Sequence, residues 1–356
     1  MNIAGIGVVF ARGRGIGTLE EALKQGWLPP AQEAAPSPGQ KRMPVYAVDQ
    51  ATLADKAVLK GMRRADRFSK MAVLAAWDAV EDSGIAIQGG EGRLGIILAT
   101  AFGPQATAFR FLDEIIDHGD GQASPTLFSH SVHNAAASYV ASALNSRGPT
   151  LTVTQFPFSF HQALLLASAW IREGRCESVL VGSVEECGEV LEYICSRKLR
   201  IPDDGRIRSF EFSASPAAVP GEGSVFLLVS RDDTPGRYCE IGGVSFNDEA
   251  GKEDPDLFIL DADGMSEDET DYGEIASRDV MIAGYAPLFG SMMTGSAFHC
   301  AAAALILRKQ TRYACPVPDN PHGIELCTAM EKRKTERVQC IKYNCFHDKA
   351  AIELKR

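Results

Sequence analysis

The chain has 356 residues and is 45% hydrophobic, enough to bury a large core as one big domain or two intimately packed halves. A formal net charge of −10 at pH 7 argues against a nucleic-acid role resting on a general basic surface. Nine cysteines are scattered without a Cys-x-x-Cys pair, which points to reduced thiols in a cytosolic protein, and the most apolar late run, 300–307, is much too short to span a bilayer.

Residues 1–10, MNIAGIGVVF, lack the basic start of a signal peptide and read as a buried strand, with a helix from Thr18 to about Gln25. Gly13, Gly15 and Gly17 are spaced somewhat like a dinucleotide loop, but Arg12 and Arg14 interrupt them and no paired acid follows, so a plain turn is expected. Residues 28–43 form a Pro-rich exposed connection. Residues 63–83 have the period of one amphipathic helix, with Phe68, Met71, Ala72, Leu74 and Val80 on its apolar side and Gly84 as its stop. The run 94–101, LGIILATA, is a continuous apolar strand of the kind that helices cover on both faces. Residues 124–143 enter another helix.

The stretch 148–170, GPTLTVTQFPFSFHQALLLASAW, organises the middle of the chain. It predicts a strand over 151–154, a break at Pro157 and a buried helix over 162–170, the arrangement α/β enzymes use to hold a nucleophile at a strand end. A buried strand at 178–182 follows, then the segment 185–193, and Ser209-Phe-Glu-Phe leads through Val219-Pro-Gly-Glu-Gly-Ser to a strand at 225–229. The theme restarts more briefly with strands at 238–244 and 257–261, a helix from Asp271, Met281-Ile-Ala-Gly, a helix after Gly295 and a hairpin-like end at 338–354. Alternation of this kind implies a mostly parallel sheet. Residues 246–255 offer almost nothing apolar and are expected to form an exposed loop.

These stretches resemble the β-ketoacyl-ACP synthases, condensing enzymes of the thiolase fold, across nearly the whole chain and most strongly over 124–229. The resemblance implies an α/β fold of two similar halves, residues 1–230 and a shortened 231–356. Laid over the family's elbow pattern, G-P-S-x-T-V-x-T-A-C-S-S-S, the nucleophilic Cys falls on Pro157. Proline removes the thiolate and also the backbone N–H that is half of the family's oxyanion hole. The family's first catalytic His corresponds to Asp263, in register with Gly264, Asp271 and Glu274. Its K-S-x-x-T-G-H motif is approximated from Ser291 to Ser296, without the lysine and with Ser296 for the second His; Ser296 reads as a helix N-cap. The C-terminal glycine loop becomes Cys345-Phe346-His347-Asp348, so its conformation must differ or be strained.

Ser159, His161, His299 and Cys300 are the residues that could have taken over catalysis, although buried Cys and helical His are ordinarily structural. Neither His130 with His133 nor Cys345 with His347 gives four metal ligands, and no cofactor is implied. By resemblance the chain is a non-condensing, chain-length-factor-like subunit of fatty-acid, polyketide or aryl-polyene elongation. It would pair with an active ketosynthase, or with itself, through the strand at 149–154. Thr152, Val153, Thr154, Phe156, Phe158 and Phe160 would then shape an interface or acyl tunnel. The family's acyl carrier protein is acidic and would need a local basic patch, for which Arg63-Arg64-x-Asp66-Arg67 and Arg197-Lys198-x-Arg200 stand as candidates beside ordinary surface charge. The competing readings are a thiolase-fold acyltransferase with a relocated site and a homodimeric acyl- or carrier-binding module.

Overall fold

The computed structural model describes residues 1–35, 41–85, 94–212, 217–231, 238–247, 254–265, 269–317 and 319–356, with side chains 269–271 left out. Among the described residues the main sheet has eleven strands, ten of them in one continuous order: β1 (Asn2–Phe10), β2 (Leu94–Thr100), β3 (Thr150–Thr154), β4 (Ser178–Glu185), β5 (Gly223–Ser230), β6 (Glu240–Phe246), β7 (Leu257–Leu260), β8 (Ile282–Ala283), β9 (Arg337–Tyr343) and β10 (Lys349–Lys355). Their order is β8-β7-β9-β10-β6-β1-β5-β4-β2-β3, with a two-residue strand, Gly13–Arg14, beside β1.

That order repeats. In the first half β1 pairs antiparallel with β5, β5 antiparallel with β4, β4 parallel with β2 and β2 parallel with β3. In the second half β6 pairs with β10, β10 with β9, β9 with β7 and β7 with β8, in the same orientations. Within the sheet the halves meet where β1 and β6 pair antiparallel at Asn2 and Glu240. Each half is therefore mixed, where alternation alone predicts a mostly parallel sheet; the last two strands of each half are antiparallel neighbours, joined through α7 (Glu189–Lys198) in the first half and by a short turn in the second.

Alternation along the strands sets the layers. Ile97, Val181 and Leu227 of the first half and Ile259, Cys340 and Ile352 of the second share one core with α6 (Ser159–Arg172) and α9 (Ser296–Lys309). The opposite face of the first half, with Leu98, Leu180 and Leu228, is covered by α2 (Arg67–Ser83) and α5 (Ala135–Ala143). Gly5 and Gly7 allow α2 to lie close on β1, since a Cβ at either would meet Ala79 O at 2.1 Å or Ala75 O at 1.9 Å. In the second half Phe258, Leu260 and Ile341 pack on Tyr272 and Ile275 of α8 (Glu269–Ala276). Farther along that face β10 carries Glu353 and Lys355, paired at 3.0 Å, so polar side chains cover it.

Several boundaries differ from expectation. The helix expected from residue 63 starts at Arg67, because the Asp66 carboxylate accepts Ser69 N–H at 2.8 Å and caps it. Residues 124–143 make two helices, α4 (Pro125–Ser131) and α5, since Val132 is extended between them. The segment 185–193 divides too: β4 runs to Glu185, and α7 (Glu189–Lys198) begins four residues later. The remaining helices are α1 (Ile16–Gln25) and α3 (Gln105–His118). The expected exposed loop at 246–255 lies largely outside the described residues, and Phe246 itself ends β6. No described helix is long and apolar enough to cross a membrane.

Candidate active-site centre

Strand β3 hydrogen-bonds to β2 on one side and ends at Thr154. Gln155 follows, then a 3-10 turn at Phe156–Phe158, then α6. Phe156 has φ +45°, a left-handed conformation that is uncommon for a residue with a Cβ. The turn is locked by Ser159, whose Oγ accepts Gln155 N–H at 2.6 Å and lies 2.9 Å from the carbonyls of both Thr100 and Phe156. Ser159 is thus engaged as a structural brace. Pro157 sits inside the turn, where its missing N–H leaves no helical bond unmade.

The rings around the turn divide their tasks. Phe156 is 60% exposed, with its ring edge-on to Phe102 at 5.9 Å. Phe158 turns inward and meets His161 and Phe246 edge-on, each at 5.7 Å, while Phe160 is buried in the core. His161 is fully buried with no hydrogen-bond partner on either nitrogen. Burial, with the nearby Lys342 charge, pushes its pKa down to about 3 against the pull of Asp261, so the ring is neutral.

Behind the turn lies a buried ion cluster. Lys342 on β9 places Nζ 2.8 Å from Asp261 Oδ2 and 3.3 Å from Asp263 Oδ2, just beyond β7. Ser296 Oγ donates to Asp261 Oδ2 at 2.8 Å, and His299 Nδ1 faces Asp261 Oδ1 at 3.4 Å while its Nε2 accepts Tyr285 N–H. Burial opposes both charges of the central pair, yet the partners win: the Lys342 ammonium and His299 hold Asp261 well below the usual carboxylate range, and the two aspartates hold Lys342 above its own. Asp263 goes the other way, raised by burial and by Asp261 despite Lys342.

Glu185, at the end of β4, connects the halves by accepting from Ala101 N–H at 2.7 Å and Thr294 Oγ1 at 3.0 Å; burial pushes its pKa up to about 7.

Asp263, Ser291 and Ser296 meet around this cluster. Ser296 is the first residue of α9 and bonds Asp261, so it is not the N-cap its sequence context predicts; Gly295 holds that place without a side-chain bond. Ser291 Oγ accepts Val219 N–H and donates to the carbonyl of Asp263, tying the two segments together. Cys300 faces the thiols of Cys340 and Cys239, and burial pushes its own thiol well up. Glu274 points outward, 3.6 Å from Arg278. Cys345 is exposed in the β9–β10 turn, where Asn344 Oδ1 accepts from Phe346 and Asp348 N–H and His347 takes φ +66° in place of a glycine. His130 bonds Tyr139 at 2.7 Å, and no metal-binding group of three or more ligands occurs among the described residues.

Lys342 and Glu185 were not singled out by motif reading. The available signal was positional: Lys342 shares its strand face with Val338 and Cys340, and no water-facing lysine belongs there. A groove of about 610 Å³ between α6 and β6, lined by Leu164, Leu165, Arg172 and Val244 among others, reaches neither Lys342 nor the two aspartates. On the other side a pocket of about 360 Å³ gathers Arg64, Lys70, Arg110 and His130. Arg67 in its wall is paired with Glu222, as Arg200 is with Glu211.

Comparison with known proteins places this geometry. The chain is 31% identical over 178 residues to the pikromycin polyketide synthase component PikAIII of Streptomyces venezuelae, covering 47% of this chain and 10% of that protein. It is 22% identical over 302 residues to the 3-oxoacyl-[acyl-carrier-protein] synthase 2 of Coxiella burnetii, covering 83% of this chain and 63% of that one. It thus spans a small part of the first relative and less than two thirds of the second. The solved ishigamide ketosynthase/chain length factor superposes with a TM-score of 0.79 at 17% identity, over 99% of this chain and 98% of that one, so the fold is thiolase-like. The profile described as "Beta-ketoacyl synthase, N-terminal domain" matches residues 1–234, from β1 through the elbow to the end of β5, and by that match the chain belongs to the β-ketoacyl synthase family.

Proposed function

We propose that the chain is a ketosynthase-like subunit without condensing activity of its own, which pairs with an active β-ketoacyl synthase in the manner of a chain-length factor. One observation carries this reading. Where a condensing enzyme needs a thiolate and an N–H at the strand end, this chain has Pro157, and behind it Lys342 is ion-paired to Asp261 and Asp263. A relocated active site would need another nucleophile. Ser159 is held by backbone groups and Cys300 is kept protonated by burial, so neither supplies one.

The surface favours a partner. Leu151 and Phe156 at the elbow, Phe128 on α4 and the α3 stripe Phe109, Leu112 and Ile116 are large apolar residues exposed in the single chain. Arg64, Lys70 and Arg110 give the acidic chain a local cationic pocket suited to an acidic carrier protein. The working boundary of the halves is residue 230, and the setting is cytoplasmic fatty-acid, polyketide or aryl-polyene elongation.

The test is purification of the chain with and without a Cys-bearing ketosynthase, each assayed with acyl and malonyl thioesters. The chain alone is expected to be silent and to co-purify with the ketosynthase. Turnover by the chain alone overturns the reading in favour of a relocated site. A stable homodimer that ignores the ketosynthase but retains acyl carrier protein favours a binding module.

A further inference from the structure

Strand β6 runs antiparallel to β10 along one side, with a bulge in that ladder at Gly242. On its other side it meets β1 only at its start, where Asn2 pairs with Glu240 and Met1 O accepts Ile241 N–H at 2.7 Å. Beyond Ile241 no strand pairs with that side among the described residues. Asn247 N–H donates to Lys349 O at 2.9 Å. By the alternation of an antiparallel ladder, Val244 and Phe246 therefore direct their N–H and C=O groups away from β10, toward the free side. Such an edge is a template for another strand.

The free side faces the groove of about 610 Å³ whose opposite wall is α6. Helix α6 runs antiparallel to β6. At its start the rings of Phe158 and His161 lie 5.7 Å and 6.2 Å from that of Phe246, and at its end Arg172 lines the groove together with Met1. Leu164 and Leu165 give the α6 wall an apolar stretch, and Leu165 is 39% exposed. The charged lining gathers at the Met1 end, where Arg172 and Arg231 outnumber the one carboxylate, Glu240. That end of the groove is cationic on an acidic chain.

Two glycines lie along the β6 wall. A Cβ at Gly242 would meet Glu353 Oε2 and Lys355 Cε, each at 2.9 Å, so packing at the bulge accounts for that glycine. A Cβ at Gly243 would meet nothing within 4 Å, and its φ lies outside the left-handed region. The fold of this chain makes no demand for glycine there. A strand glycine of this kind leaves room for a second backbone to approach closely.

We propose that the free edge of β6 is a strand-addition site for an extended peptide segment of another protein. The peptide backbone pairs with Val244, an apolar side chain packs on Leu164 and Leu165, and an acidic residue lies at the end held by Arg172 and Arg231. At roughly 3.3 Å per residue, a segment of about five residues fills this span. The site is separate from the β3 edge and from the cationic pocket near Arg64, and it stands whether or not the chain pairs with a ketosynthase.

Panning a displayed library of short random peptides on the full chain, tagged at its C-terminus, tests this. Selected peptides are expected to alternate apolar residues and to carry Asp or Glu at one end. Bound to the parent chain, they are expected to slow amide hydrogen exchange at Val244 and Phe246. Gly243→Val adds bulk where the groove is open, and Val244→Pro removes an N–H that β10 does not use. Each is expected to weaken the selected peptides by about tenfold or more while keeping a urea midpoint near the parent's. No enrichment over the bare support, or parent affinity in both variants, overturns the site. Exchange at Val244 and Phe246 that is unchanged by bound peptide overturns it without recourse to any variant. A self-associated chain that Gly243→Val splits in sedimentation overturns the peptide in favour of a second copy as the occupant.

Discussion

Lys342 and Asp261 face one another at 2.8 Å inside the protein, the ammonium from β9 and the carboxylate from just beyond β7, with side chains 4% and 2% exposed. Asp263 stands on the same ammonium at 3.3 Å. A cation buried between two acids is held by reciprocity, because each group's desolvation is offset only while the others remain charged.

Removing one member should therefore cost more than removing all. Lys342→Met is expected to lower unfolding free energy by about 3–5 kcal/mol, since two buried carboxylates lose their counter-ion. Adding Asp261→Asn and Asp263→Asn to that variant is expected to restore most of the loss. Urea midpoints of the three proteins measure this, and a triple variant less stable than Lys342→Met would show that the cluster holds the fold by something other than charge pairing.

Pro157→Cys is expected to yield no condensation. The substitution restores a thiol and an N–H, yet Asp263, which by resemblance stands for a catalytic His, already faces Lys342. Labelling of the new thiol without carbon–carbon bond formation is the expected pattern in an acyl and malonyl thioester assay. Product above the parent chain's background would show that the elbow alone had been the missing part.

Glu185 sets a pH dependence. Its folded pKa is raised from an ordinary 4.5 to about 7, so between those values the folded protein binds a proton that the unfolded chain releases. Stability from this group is complete below about pH 4.5 and is lost as pH rises to about 7, a change of roughly 3 kcal/mol at most. Glu186, also raised to about 7 by burial, works in the same direction. Glu185→Gln is expected to flatten the decline between pH 5 and 8 without abolishing it. An unchanged slope in urea titrations across that range would exclude Glu185 as its source.

Much of this architecture is legible in the sequence because it depends on local pattern. The apolar run 94–100, the strand–break–helix at the elbow and the stop at Gly84 each follow from side-chain period or backbone freedom, and each is present. Gly5 and Gly7 are visible as letters, but only packing against Ala75 and Ala79 explains them. The ion cluster is less legible, because its members come from residues 261, 263, 296, 299 and 342 and meet only through the β7–β9 pairing. Motif comparison marks Asp263 and Ser296 as losses. The ion-paired network that they join appears only in three dimensions. Ser296 shows the limit plainly, since a serine before an apolar run predicts a cap, and a buried aspartate across the core claims its hydroxyl instead.

The last expectation concerns the face that meets a partner. Strand β3 is the end of the sheet order, and an edge strand with β-branched residues is a pairing surface unless something covers it. Elsewhere on the surface, α3 buries only Gln105 and Thr107, while Phe109, Leu112 and Ile116 recur at helical spacing and stand 41%, 48% and 79% exposed. Ordinary surface exposure explains isolated apolar residues, but a stripe on one helix is the mark of a covered face. Leu112→Lys with Ile116→Glu is therefore expected to leave the chain's urea midpoint within about 0.5 kcal/mol of the parent, because neither side chain supports the core. The same pair is expected to abolish co-purification with a Cys-bearing ketosynthase and to shift sedimentation toward a single chain. Phe156→Ala, by contrast, leaves the stripe intact and changes the ring that projects from the elbow. In the reconstituted pair it is expected to alter product chain length more than total yield. Full retention of the complex by the Leu112 and Ile116 variant would place the interface elsewhere. Loss of yield at constant length in Phe156→Ala would make that ring a packing residue and not part of the tunnel wall.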